Sequence, residues 1–123
     1  DSLRAQRLTA EYERPELRAR RGLLPESASH EGYLAHPVHA YWDDFWALQG
    51  YRDAAEMAAI LGDEAEARRC RAGHDQLAAA VRASIRRVIE ERRLAYVPGS
   101  VEWADFDPTA TAVAVSLLGA LED

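Results

Sequence analysis

"DEAEARRCRAGHDQLAAAVRASIRRVIEERR", Asp63 to Arg93, decides the fold class. Cys70, His74, Leu77, Val81, Ile85 and Val88 recur three and four residues apart, the period of a helix with one buried stripe. Arg and Glu fill the remaining positions and read as solvated faces. "DEAE" at the start has the spacing of a capping box, with Asp63 positioned to satisfy free backbone N–H groups. The spacing predicts one long helix running to about Arg93. Cys70 reads as a small buried hydrophobe and His74 as a core histidine.

Helical signals also dominate on either side. Ser2 to Glu13 reads as a helix with Leu3, Leu8 and Tyr12 on one side. Pro15 suits the first turn of a short helix ending near Gly22. "GLLPESASHEGYLAHPVH", Gly22 to His39, is irregular, because prolines and glycines punctuate it. A further helix is expected from Trp42 to Leu48, with Gly50 ending it. "DAAE", Asp53 to Glu56, has the spacing for a restart, and Gly62 suits the position after a helix end. Beyond Arg93, "LAYVPGSVEWADFDPTA" is irregular again. Asp107 and Pro108 then mark a helix start. The apolar body "TATAVAVSLLGAL" predicts burial on more than one side. No segment has a convincing strand period. The expected fold is all-α over a single helical segment, residues 1–123, with helical hairpins side by side and loops gathered at one end.

Bulk properties exclude several functions. The net charge is -6, and all 15 basic residues are Arg. Arg alternates with Asp and Glu, so there is no basic footprint for nucleic acid. The single cysteine, Cys70, has neither a disulfide partner nor a ligand pattern. His30, His36 and His39 cluster, but their spacing fits no helical metal-ligand motif. No metal and no cofactor are expected. No apolar run approaches the roughly 20 residues of a membrane span, and no signal peptide is visible. The chain begins at Asp1 rather than Met, which fits a processed or truncated start. The compartment stays open between cytoplasm and export.

Chemistry concentrates in "HAYWDDFWAL", His39 to Leu48. Aromatic rings crowd around two adjacent carboxylates, Asp43 and Asp44. One Asp suffices to cap a helix, so the second lacks a structural need. Sugar sites combine such parts: aromatic faces cover the apolar face of a pyranose, and a fixed carboxylate accepts from its hydroxyls. Glu31 in "SHEGY" and Glu102 in "GSVEW" each sit on a loop beside aromatics. Apolar surroundings raise a carboxyl's pKa, as a general acid near neutral pH requires. Glycoside hydrolysis uses two such carboxyls across the scissile bond. The candidate site is Glu31 and Glu102 as catalytic residues, with Tyr33, Tyr41, Trp42, Asp43, Asp44 and Trp103 binding substrate; the alternatives are helix capping with core packing for the two adjacent acids and solvated loop acids for the two glutamates.

"PESASHEGYLAHPVHAYWDDFWALQGYRDAAEMAAILG" resembles the six-hairpin glycosidases, whose catalytic domain is an (α/α)6 toroid. Trehalases of that group carry a similar "YWDSYW"-type segment, matched here at Tyr41, Trp42 and Asp43. "AHPVHA" stands where trehalases have a Gly-Gly-Arg-Phe segment. "YVPGSVEWADFDPTATA" is similar to a loop and helix of bacterial members of that superfamily. The resemblance covers roughly Gly22 to Leu118 and implies Asp43 as a sugar ligand, Trp42 as a subsite wall and an oligosaccharide or glycoside as substrate. A toroid has twelve helices, and about five or six helical segments are legible here. The resemblance thus implies part of a larger glycoside hydrolase domain, inactive on its own, which packs against the rest of that domain or self-associates. The alternative is a non-catalytic helical module whose aromatics bind a protein partner, since Trp and Tyr also dominate protein interfaces.

Overall fold

The computed structural model describes residues 2–29, 36–117 and 119. It is mostly helical, with no strand among the described residues. The elements are α1 (Ser2–Ala5), two 3-10 turns (Ala10–Glu13 and Arg18–Arg20), α2 (Tyr41–Ile60), α3 (Glu64–Arg92) and α4 (Pro108–Ala112), which continues as a π turn (Val113–Leu117). No helix among the described residues is long and apolar enough to cross a membrane.

α3 matches its expected bounds. The Asp63 side chain accepts from the Glu66 N–H at 3.0 Å. Cys70, Leu77, Val81, Ile85 and Val88 are all buried. His74 is only half-buried and faces Asp75, so it edges the stripe rather than filling it.

α2 departs from expectation: it runs unbroken through Gly50 and Asp53. Phe45 and Leu48 before Gly50 and Ala55 and Ala58 after it are buried; Phe45 and Leu48 belong to the core shared with α3, and Tyr51 packs against it. That packing outweighs the roughly 1 kcal/mol that one helical glycine costs. Asp53 caps nothing and accepts instead from Gln49 at 2.6 Å. The helix ends at the next glycine. Gly62 has φ +77°, its N–H donates to Ala59 O at 3.1 Å, and Asp63 N–H donates to Ala58 O at 2.8 Å. These two bonds close α2 in a Schellman turn, and the same Asp63 opens α3.

That short turn returns α3 along α2. Tyr41 pairs with Ser84 through their hydroxyls at 2.7 Å. Tyr51, farther along α2, packs on Gly73, where a Cβ would lie 2.6 Å from its ring. The register is therefore antiparallel, and α3 extends past Ser84 beyond the start of α2.

The first expected helix is cut to α1. Arg7 O accepts from Gly22 N–H at 3.0 Å, and Arg4 Nε donates to Gly22 O at 2.7 Å. These contacts turn the chain back and bury both arginines, leaving Leu3 and Leu8 exposed. α4 opens as expected, with Asp107 accepting from Ala110 N–H at 2.9 Å and Pro108 in the first turn. Burial on several sides is not seen among the described residues. Ala110 and Ala114 face inward, and Thr109, Ala112 and Val115 face out.

Candidate functional site

Two loops dock on the N-terminal end of α2. From one side, Ser27 and Val38 exchange backbone hydrogen bonds at 2.9 and 3.0 Å, closing the base of the first irregular stretch. From the other, Tyr41 N–H donates to Gly99 O at 3.0 Å and Val101 N–H to His39 O at 3.1 Å. Those side chains expected to form a site that fall among the described residues are distributed between these two dockings.

Asp43 and Asp44 take different roles, and neither caps α2. Its N-cap is Ala40, which offers no side chain for capping. Asp44 is buried and accepts from Leu24 N–H at 2.9 Å, pinning the first loop to the helix. Burial pushes its pKa up to about 8, with the nearby Asp43 charge acting in the same direction; the Leu24 N–H and the Arg4 charge oppose this. Asp44 therefore carries its proton at neutral pH. Asp43 is only half-buried, and its carboxylate accepts from the hydroxyls of Ser27 and, at 3.2 Å, Ser29.

The aromatic residues also separate. Tyr41 is fully enclosed; its hydroxyl donates to Ser84, whose hydroxyl passes on to Ala19 O. A ring so placed packs the core and lines no surface of this chain. Trp42 is half-buried and meets Trp46 edge-on, with centroids 5.7 Å apart. Trp46 is 44% exposed. It follows Asp43 by three residues and Trp42 by four, so the three share one side of α2. Trp46 was not among the expected ligands, although its spacing signals it. Trp103 is exposed in the turn after Glu102, on the loop that also displays Tyr96 and Phe106.

Glu102 takes three hydrogen bonds. It accepts from His39 N–H, His39 Nδ1 and Arg20 Nε, each at 2.8 Å. Burial raises its pKa, but the bonds from His39 and Arg20 outweigh that and bring it down to about 2. The general-acid role expected of Glu102 needs a retained proton, and these bonds favour the ionised form. His39 is buried, with Nε2 facing Arg7 Nε at 3.3 Å and Glu26 at 3.6 Å. Arg7 and Glu26 pair directly. A polar chain thus runs from Arg20 through Glu102 and His39 to Arg7 and Glu26, next to the Ser27 that holds Asp43. Sequence reasoning missed these partners, because they lie far apart in the chain.

Glu31 and Tyr33 lie outside the described residues, as does His30. His36 is exposed. No cluster of metal-ligating side chains is present among the described residues. No family model matches the chain, and neither a curated protein nor a solved structure matches it.

Proposed function

We propose that the start of α2 is a carbohydrate-binding wall of a glycoside hydrolase domain. The observation that carries this reading is the division of labour between the adjacent acids. Asp44 is spent on the backbone, whereas Asp43 stays half-exposed with serine hydroxyls on its oxygens. Those hydroxyls stand where sugar hydroxyls would bind, since a carboxylate accepts from both in the same geometry. Trp42 and Trp46, on the same side of the helix, offer an apolar face for a pyranose ring.

In this reading Asp43 orients the sugar and Glu102 is a positioning residue. Glu102 fixes His39, and with it the chain entering α2. The paired-carboxylate reaction then leaves Glu31 as the candidate general acid. The α2–α3 pair, with both loops at one end, serves as one hairpin of an (α/α)6 toroid, as the resemblance to six-hairpin glycosidases implies.

Tryptophan fluorescence tests the reading. Titration with simple gluco-configured disaccharides should give a saturable change in the wild-type chain. The change should be absent in Trp46→Ala, whose indole is exposed. A flat wild-type titration rejects the reading.

One observation favours a second reading, a helical protein-interaction module. Met57, Ile60 and Leu61 stand exposed at the far end of α2, Leu61 by 80%. Concentration-dependent association without any sugar response would support that alternative.

A further inference from the structure

A cavity of about 510 Å³ lies between the N-terminal segment and α3, lined by none of the residues discussed as a sugar wall. Arg4, Arg18 and Arg21 line it, together with one acid, Glu13. On a chain with net charge -6 this is a local reversal of sign. α3 contributes Ala79, Ala80 and Ala83, side chains too short to fill the space, and Leu8 adds an apolar edge.

The arginines are unequally engaged. Arg21 Nε pairs with Glu13 at 2.6 Å. The Arg18 side chain makes no hydrogen bond or ion pair among the described residues; only its backbone carbonyl is engaged, accepting from Arg21 N–H at 3.2 Å. Arg4 is the informative one. It is 4% exposed, and only its Nε is used, on Gly22 O. Its two terminal nitrogens have no hydrogen-bond partner among the described residues. Those nitrogens are not sealed from solvent, so the fork is open to an added acceptor, and the acceptor that matches its planar geometry is a carboxylate or phosphate.

The geometry points to a binding site for a small oxyanion ligand, a carboxylate or phosphate carried on a compact apolar body, held by Arg4 and Arg18 above the alanine floor of α3. The oxyanion accepts from the free ends of both guanidiniums, and the apolar body rests on Ala79, Ala80 and Ala83. Glu13 keeps Arg21 at the rim and sets a repulsive limit on ligands with a second negative charge at that side.

Isothermal titration of the full chain at low salt tests this with phenyl phosphate, benzoate and the neutral benzamide. Two variants accompany it. Arg18→Gln removes an exposed charge without a fold partner, and Ala79→Glu places a carboxylate in the cavity from an exposed position on α3. At least one anion should bind saturably, and each variant should weaken that binding about tenfold at an unchanged thermal midpoint. Added salt should weaken it further. The tighter of the two anions identifies phosphate or carboxylate as the natural group. Absence of saturable binding by both anions, equal binding of benzamide, or wild-type affinity in either variant overturns the site. None of these outcomes depends on Asp43 or on a sugar, so this test and the carbohydrate test fail separately.

Discussion

Glu102 grips His39 twice, through the backbone N–H and through Nδ1, each at 2.8 Å. Sixty-three residues separate the two in the chain. The pair joins the loop before α4 to the residue that leads into α2, so the geometry of the candidate site depends on a contact remote in sequence. With Nδ1 donating to Glu102, His39 Nε2 is left to accept from Arg7.

Glu102→Gln should destabilise the chain. The carboxylate is mostly buried and takes three donors, two of them side chains. Hydrogen bonds to charged groups contribute about 1.5–3 kcal/mol, so a loss of about 2–3 kcal/mol is expected in urea unfolding. The acid limb should change as well. The folded pKa is lowered to about 2, so the stabilisation is complete above the unfolded value and is lost as pH falls through about 2. The Gln variant should lose less stability than wild type over that acid range.

Asp44 works in the opposite sense. Its folded pKa is raised to about 8, so its favourable contribution is complete below the unfolded carboxyl value and is lost as pH rises through about 8. Asp44→Asn keeps an acceptor for Leu24 N–H and removes the titration. Wild-type stability should decline between about pH 4 and 8 relative to this variant, measured by denaturant unfolding at several pH values. Parallel profiles would show that Asp44 is not held protonated.

Two glycines should respond with opposite signs. Gly50 lies on the exposed side of α2, with nothing within 4 Å of an added Cβ. Gly50→Ala should stabilise by about 0.5–1 kcal/mol. Gly73 admits the Tyr51 ring so closely that an added Cβ would lie 2.6 Å from it. Gly73→Ala should destabilise by about 1–3 kcal/mol through overpacking. Thermal unfolding of the two variants measures both signs.

Local signals read well wherever local physics decides. Asp63 and Asp107 were legible as caps because a cap bonds only three residues away. The α3 stripe was legible because one helical face meets one core. Gly50 misled, since burial on both sides of it overrode propensity. The roles of Asp43 and Asp44 were not legible, because only the docking of Leu24 and Ser27 distinguishes two neighbouring acids. Tyr41 shares its stretch with the accessible Trp42, yet α2 turns it toward Ser84. Glu102 read as a loop acid beside an aromatic, and its ionised character comes from His39 and Arg20. Sequence reasoning located the loops that meet at α2 but did not show which side chains each loop spends on holding the other.

The most direct measurement is isothermal titration of a gluco-configured disaccharide into wild type, Asp43→Asn and Asp44→Asn. Saturable binding to wild type and to Asp44→Asn, with affinity at least about tenfold weaker in Asp43→Asn, is the predicted result. Asp43→Asn binding the sugar as tightly as wild type, or no binding by wild type, would contradict Asp43 as the sugar ligand.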